Sequence, residues 1–328
     1  MNLYLQAILE GKEGFSFGDS WRYCEDSLVA VLPILRKSGR VRKYLILKEA
    51  KNIEISDTGQ INRIRITNKE KKPVYIRMGE IFTGKSQERI TIRSHVILPK
   101  ESTEIEVRCV YASKPISTGE MMKSGGLAPA SFDSLFSHSS FKMRSPDQSQ
   151  VWKEVNMSAS MMANTSEMLD RQFALRAEVE TERGAVETVK SQPADDLKGI
   201  IDVFSKQIDK ILKEVPFLED QVGIALLDLS GVSSLECFDL SGSWKALRDD
   251  IIKKEGENLS KLQKESPFEY KADKAVNAVK ALLSNAFEEK TTFKTEKVRI
   301  TNLNSEKYSG EITELNGELV HLVLVRKA

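Results

Sequence analysis

The chain has 328 residues, of which 40% are hydrophobic and 30% charged, the balance of a folded protein rather than a disordered one. Its 49 Lys and Arg residues nearly cancel 48 Asp and Glu residues, so composition gives no support to a nucleic-acid partner. No apolar run approaches the length of a membrane span, and the first residues lack the pattern of a secretory signal. We therefore expect a cytoplasmic protein with neither a membrane nor a nucleic-acid partner.

Short strands dominate the first third of the sequence. A strand at the N terminus is predicted from alternating apolar residues, namely Leu3, Leu5, Ala7 and Leu9. Further strands are predicted at residues 28–35, 41–47, 53–55, 61–67, 74–78, 89–98 and 105–111. Turn residues separate most of these runs, and no amphipathic helix lies between them. This spacing predicts an all-β domain over residues 1–112, built as an antiparallel β-sandwich.

Residues 113–195 are predicted to form a long loop followed by a helical connector. Ser, Gly, Met and Pro dominate residues 113–150, and a loop this long is either functional or mobile. Scattered phenylalanines in it suggest that parts of the loop lie on the folded body. Residues 151–189 are predicted to be helical, with methionines that fill a core.

The pattern of residues 196–328 predicts an α+β domain, an antiparallel sheet with helices on one face. The clearest helical periodicity runs from Leu197 to Val215, and helices are also predicted around residues 244–252 and 275–287. One hairpin is predicted to turn at Ser230-Gly231. A second one turns at Asn316-Gly317, the strongest two-residue hairpin signal in the chain.

The best candidate site lies in the passage from Ile76 to Cys109, where polar residues crowd a short loop between two strands. Four side chains are expected to meet at one end of the sheet: Glu80, Lys85, Gln87 and Arg89. Their cations suit a phosphate or an anionic sugar, and Glu80 suits a general base or a ribose ligand. Arg144, near the end of the long loop, is a further candidate ligand-binding residue if that loop closes as a lid. The alternative is structural, with Glu80 paired to Arg89 across the turn and Gln87 bonding the loop backbone.

Other reactive side chains give weaker signals. Cys109 ends a strand near the candidate loop and suits a nucleophile only beside a base or a cation, so a buried strand cysteine is the competing interpretation. Three scattered cysteines without a CxxC pair indicate a reducing compartment: Cys24, Cys109 and Cys237. Three histidines share no metal-ligand spacing: His95, His138 and His321. We therefore predict neither a metal site nor a cofactor.

Several of these motifs resemble one known family. Gly79-Glu80, Gly84, Lys85, Gln87, Arg89 and Cys109-Val110 are similar to the signature of the ARG-and-Rhodanese-Phosphatase-superfamily-associated protein domain. Two further stretches are similar to the family pattern and follow in the same order: residues 150–155, and residues 221–224 through 238–239. The chain departs from the pattern at Glu88, where the family usually has Asn. It departs again at residues 111–114, where the expected Glu, Arg and Trp are missing.

The resemblance implies an α+β protein of prokaryotic type with a link to ADP-ribosylglycohydrolase and rhodanese or phosphatase genes, and it brings no established reaction. We expect an accessory or binding protein that recognises an ADP-ribose-like or other phosphorylated ligand, or a partner protein. One alternative is a hydrolase or transferase on such a ligand, with Glu80 as general base. A second alternative is a protein-interaction scaffold that uses the helical segment 151–189.

Overall fold

The computed structural model describes residues 2–22, 28–85, 88–110, 118–142, 146–158, 217–259 and 272–327, with positions 160, 209, 212 and 215. The helices are α1 (Leu3–Glu10), α2 (Ser131–Phe141), α3 (Ser241–Lys254), α4 (Gly256–Leu259) and α5 (Ala272–Leu283). The N-terminal strands are β1 (Phe15–Phe17), β2 (Trp21–Arg22), β3 (Ala30–Arg36), β4 (Leu45–Ile46), β5 (Ile53–Asp57), β6 (Arg63–Asn68), β7 (Val74–Ile76), β8 (Glu80–Thr83), β9 (Arg89–Thr91), β10 (His95–Ile97), β11 (Ser102–Cys109) and β12 (Lys123–Leu127). The C-terminal strands are β13 (Gln221–Asp228), β14 (Gly231–Phe238), β15 (Glu288–Lys294), β16 (Val298–Asn304), β17 (Tyr308–Leu315) and β18 (Glu318–Arg326).

The predicted α+β class is confirmed, because a strand-rich N-terminal region is followed by an antiparallel sheet with helices. This large sheet has the strand order β1-β3-β13-β14-β18-β17-β16-β15, and β2 also pairs with β3. Its N-terminal strands join through antiparallel pairing of β3 with β13, in which Leu32 lies opposite Ala225. The division at residues 112 and 195 stays a prediction, and this pairing connects its first and last parts.

Helices cover both faces of the large sheet rather than one. On one face, buried residues of α1 and α5, such as Ile8 and Val279, pack with Ala225. On the other face, buried residues of α3, such as Trp244, pack with Ile224. Successive strand residues point to opposite faces, so a strand that is apolar at every position needs cover on both sides.

Two smaller sheets lie in the N-terminal half and carry the predicted site. One has the order β12-β8-β9-β11-β6-β5, and the other has the order β10-β7-β4. Their shared apolar core contains Ile64, Ile76 and Phe82, each fully buried. This region fits the predicted run of short antiparallel strands, apart from the parallel pairing of β4 with β7.

The predicted N-terminal strand is wrong, because residues 3–10 form helix α1. Asn2 caps it, its side chain accepting a hydrogen bond from the Tyr4 backbone N–H at 3.0 Å, and Gly11 ends it with a left-handed φ of 66°. Leu5 and Ile8, three residues apart, are buried on one helix face. The helical spacing and the two caps outweigh the alternating pattern.

The predicted loop at residues 113–150 contains regular structure, namely strand β12 and helix α2, and residues 148–158 are helical. Phe132 and Phe136 of α2 are fully buried, as expected of anchors on the folded body. Apart from residues 151–158 and a few single positions, the helices predicted at 151–189 and 197–215 lie outside the described residues. Across the described parts of the chain, every helix is too short or too polar to cross a membrane.

Candidate functional site

Glu80 lies at the start of β8 and is almost fully buried, with 4% of its surface exposed. Its carboxylate accepts a hydrogen bond from the Ser124 hydroxyl of β12, and its backbone N–H donates to Thr91 Oγ1 at 2.9 Å. Burial raises the pKa of Glu80 to about 8, although the Ser124 hydrogen bond opposes the shift. At neutral pH Glu80 is therefore mostly protonated, which suits a proton donor better than a general base.

The other predicted ligand residues do not share one environment. Lys85 is exposed, and its backbone N–H donates to Glu120 Oε1 at 2.6 Å. Gln87 and Arg144 lie outside the described residues. The structure therefore brings Glu80 and Arg89 onto adjacent strands and leaves Lys85 on the surface, and the four-residue site stays a prediction.

Arg89 is fully buried on β9, where its guanidinium Nη2 lies 3.5 Å from Asp57 Oδ2. It sits directly across the ladder from Cys109. Burial lowers the pKa of Arg89, and the charges of Cys109 and Asp57 oppose that effect. The alternative Glu80–Arg89 ion pair is not formed, because Glu80 bonds Ser124 while Arg89 faces Asp57 and Cys109.

Cys109 is buried at the end of β11, as the competing interpretation predicted. Its neighbour Arg89 is the kind of cation that favours a thiolate, so the structure supplies one of the two requirements of a nucleophile. The second requirement, access for a substrate, is not met at 0% exposure. His95 is also buried, and burial lowers its pKa to about 3, so it is neutral and a poor base partner.

An ionic network that the sequence did not suggest lies beside the start of β8. It contains six buried side chains: Arg77, Asp133, Glu236, Lys254, Glu255 and His321. Arg77 donates to both carboxylates, with Nη2 at 2.7 Å from Asp133 Oδ2 and Nε at 2.5 Å from Glu236 Oε1. Bidentate pairs of this kind fix the orientation of the two side chains and also bring their opposite charges together.

Lys254 and His321 complete this ionic network. Lys254 Nζ donates to Asp133 Oδ2 and to Glu236 Oε2, each at 2.7 Å. Burial alone would raise the pKa of Glu236, but the charges of Arg77 and Lys254 hold it well below its ordinary value. Burial lowers the pKa of His321, so its ring is neutral at pH 7. Lys254 Nζ also lies 3.4 Å from Oε1 of the buried Glu255, so two cations face three carboxylates in a network that joins helices α2 and α3 to the large sheet.

A surface cavity of about 570 Å³ lies at residues 40–43, and we call it the basic concavity. Its lining consists of Arg40, Val41, Arg42, Lys43, Lys72 and Glu318. Four of these residues are cations and one is a carboxylate, an excess that attracts anions.

The four cations of the basic concavity differ in how firmly they are held. Arg42 Nη2 is 2.6 Å from Glu49 Oε1, and its Nη1 donates to the Gly242 carbonyl at 3.2 Å. Lys43 is only loosely paired, with Nζ 3.6 Å from Glu318 Oε1. Within the described part of the chain, the side chains of Arg40 and Lys72 make no ion pair and remain available to a ligand.

No single sequence motif marked this cavity, because it joins residues 40–43, residue 72 and residue 318. The clustered cations at 40–43 were the only local signal. In the described residues, no three His, Cys, Asp or Glu side chains lie close enough together to hold a metal ion.

Comparisons with known proteins identify one family. The family model of the ARG and Rhodanese-Phosphatase-superfamily-associated Protein domain (ARPP-1) matches residues 16–325, nearly the whole chain. The resemblance inferred from the sequence motifs is therefore confirmed. No curated protein and no solved structure matches the chain.

Proposed function

The chain belongs to the ARG and Rhodanese-Phosphatase-superfamily-associated Protein domain family, and we propose that it is a binding protein for a phosphorylated small molecule. The observation that carries this proposal is the basic concavity, in which Arg40 and Lys72 are uncommitted and Lys43 is loosely paired. Guanidinium and ammonium groups in this arrangement suit phosphate oxygens.

The volume of the basic concavity, about 570 Å³, is in the range of small-molecule sites and accommodates a nucleotide-sized ligand. An ADP-ribose-like compound combines that size with a diphosphate, and the family name associates the domain with ARG and rhodanese-phosphatase systems. Because four cations line the cavity, we expect charge to contribute strongly to binding and affinity to fall as salt rises.

Binding without turnover is favoured by the chemistry of the described lining. Its only carboxylate, Glu318, has a side chain that is 47% exposed, and it lacks the burial that tunes a general base. The lining offers no hydroxyl or thiol nucleophile among these residues. The cavity is thus equipped to hold an anion rather than to transform it.

The first experiment is a thermal-shift panel of ADP-ribose, NAD, nucleotides and sugar phosphates on the full chain. A ligand at 100 times its Kd should stabilise the protein by about 2.7 kcal/mol, a readily measured shift. The Arg40→Ala/Lys72→Ala variant should lose this shift. The matched control, Arg63→Ala/Lys123→Ala, removes two exposed cations from elsewhere on the surface and should keep it.

A hydrolase or transferase centred on Glu80 is the second candidate. It is favoured by one observation, the buried carboxyl with its raised pKa and its hydrogen bond from Ser124. This candidate predicts that the wild type consumes ADP-ribose and that Glu80→Gln binds it without consuming it. If both proteins bind and neither turns it over, the binding proposal stands and the enzyme candidate fails.

The scaffold alternative rests on the segment 151–189, most of which lies outside the described residues. It predicts that partner binding survives Arg40→Ala/Lys72→Ala and Glu80→Gln alike. If no phosphorylated compound in the panel raises the melting temperature of the wild type, the scaffold alternative becomes the preferred one.

A further inference from the structure

The lining of the basic concavity contains two side chains that a bare phosphate would not use. One is Glu318, a carboxylate among four cations, and the other is Val41, an apolar side chain that is 81% exposed. A carboxylate repels a phosphate group that binds nearby, so Glu318 weakens a site built for phosphate alone. The composition of the lining therefore indicates a ligand that has a second, uncharged part beside its phosphate.

The backbone of Glu318 is held in place by the hairpin turn that precedes it. Glu318 begins strand β18 directly after the turn at Asn316-Gly317. The Asn316 N–H donates to the Lys297 carbonyl at 2.6 Å, and the Tyr4 hydroxyl donates to the Gly317 carbonyl at 3.0 Å. Because both turn residues are bonded to other parts of the fold, this wall of the cavity is set before a ligand arrives, which lowers the cost of ordering it on binding.

The carboxylate of Glu318 has hydrogen-bonding capacity to spare. Within the described part of the chain its one ion pair is with Lys43 Nζ, and at 3.6 Å that pair is longer than a hydrogen bond. A carboxylate only accepts hydrogen bonds, and its two oxygens match two neighbouring O–H donors. Glu318 is therefore suited to adjacent hydroxyl groups of a ligand whose phosphate contacts the cations of the same cavity.

We propose that Glu318 determines the specificity of the basic concavity, and that its ligand class is a phosphorylated sugar with two adjacent free hydroxyl groups, such as a ribonucleotide. This inference rests on the function proposed above. The phosphates contact Arg40 and Lys72, the two hydroxyls donate to Glu318, and Val41 packs against the C–H face of the sugar ring. A polyphosphate gains only the contacts with the cations and is repelled by Glu318, so one residue both selects the sugar and disfavours the simpler anion.

The test compares three probes by titration calorimetry on the full chain: ADP, 2′-deoxy-ADP and inorganic pyrophosphate. ADP and 2′-deoxy-ADP carry the same charge and differ by one ribose hydroxyl, so the wild type should bind ADP at least about fivefold more tightly. Glu318→Gln removes the negative charge and keeps the shape of the side chain. This variant should bind ADP at least about threefold more weakly than the wild type does, and it should bind pyrophosphate more tightly.

The opposite response of ADP and pyrophosphate separates recognition of the sugar from other roles of Glu318. If Glu318 acted only through its charge, Glu318→Gln would bind all three probes more tightly, and if it were only structural, the variant would bind all three more weakly. Either result overturns the proposal. Glu306→Gln is the matched control, because Glu306 is an exposed carboxylate in the loop before β17, at the opposite end of that strand, and it should bind every probe as the wild type does.

Failure of this inference is distinguishable from failure of the proposed function. Equal binding of ADP and 2′-deoxy-ADP by the wild type, with both lost in Arg40→Ala/Lys72→Ala, would overturn the role of Glu318 and leave the proposed function standing. Binding of ADP-ribose with no binding of the three probes would have the same meaning. If the wild type binds none of these four compounds, the proposed function fails, and this inference fails with it.

Discussion

Replacing Asp133 with Asn should destabilise the protein strongly, because it removes one of three carboxylates from the buried ionic network. Asp133 accepts three charge-assisted hydrogen bonds, from Arg77 Nη1 at 2.9 Å, Arg77 Nη2 at 2.7 Å and Lys254 Nζ at 2.7 Å. The side chains of Asp133 and Arg77 are each 1% exposed, so water cannot replace the lost charge.

Breaking a buried ion pair from one side costs about 3–5 kcal/mol, since the remaining charge stays buried without compensation. Asn keeps one oxygen acceptor, so we expect a loss of about 3 kcal/mol in the free energy of unfolding. Urea denaturation at pH 7 measures it. The matched control is Asp249→Asn. The Asp249 side chain is 60% exposed beside Arg248, so this substitution should change the free energy of unfolding by less than about 0.5 kcal/mol.

A double-mutant cycle isolates the interaction of Asp133 with Lys254 from other effects of the substitution. After Asp133→Asn, Arg77 and Lys254 share Glu236, with Glu255 Oε1 3.4 Å from Lys254 Nζ. Lys254→Met and Asp133→Asn each remove the hydrogen bond from Lys254 Nζ to Asp133, so their losses overlap, and the double variant should be at least about 1 kcal/mol more stable than the sum of the single losses predicts. A loss below about 1 kcal/mol for Asp133→Asn, or strict additivity in the cycle, would refute this reasoning.

Two further predictions concern Glu80 and two glycines. Burial raises the pKa of Glu80 from 4.5 to about 8, so its contribution to stability is complete below pH 4.5 and is lost as pH rises through 8. In Glu80→Gln the free energy of unfolding should change less between pH 5 and 8 than in the wild type. An equal fall in the wild type and the variant would contradict the raised pKa of Glu80. Gly223→Ala should cost about 1–3 kcal/mol, because its Cβ would lie 2.1 Å from the Glu236 carbonyl oxygen. Gly242→Ala, with open space around its Cβ, should be neutral or stabilising, and equal losses in thermal melts would contradict the packing described here.

The parts of the fold that depend on local signals were predictable. The hairpin at Asn316-Gly317 formed as expected, because both residues adopt positive φ, which Asn and Gly tolerate. The hairpin at Ser230-Gly231 and helix α3 followed in the same way. The N-terminal helix shows the limit of a period-two pattern in a short segment, where the caps at Asn2 and Gly11 were the better evidence.

The features that carry function depend on distant positions. The ionic network joins Glu236 of β14 and His321 of β18 with Arg77 and Lys254, which come from distant parts of the chain that no local pattern brings together. The sequence placed the site around Glu80, one element away from this network, because Gly79 and Glu80 mark a tight turn. It missed the basic concavity, since Lys72 and Glu318 reach residues 40–43 only in the folded chain.

The most direct test of the binding proposal is titration calorimetry of ADP-ribose at about 50 and 200 mM NaCl, between which the Debye length falls about twofold. We predict binding that weakens several-fold at the higher salt, and at least a tenfold weaker Kd for Arg40→Ala/Lys72→Ala, equivalent to about 1.4 kcal/mol. Arg63→Ala/Lys123→Ala should retain the wild-type Kd at both salt concentrations. Equal affinity in the wild type and Arg40→Ala/Lys72→Ala would contradict capture of the ligand by the basic concavity.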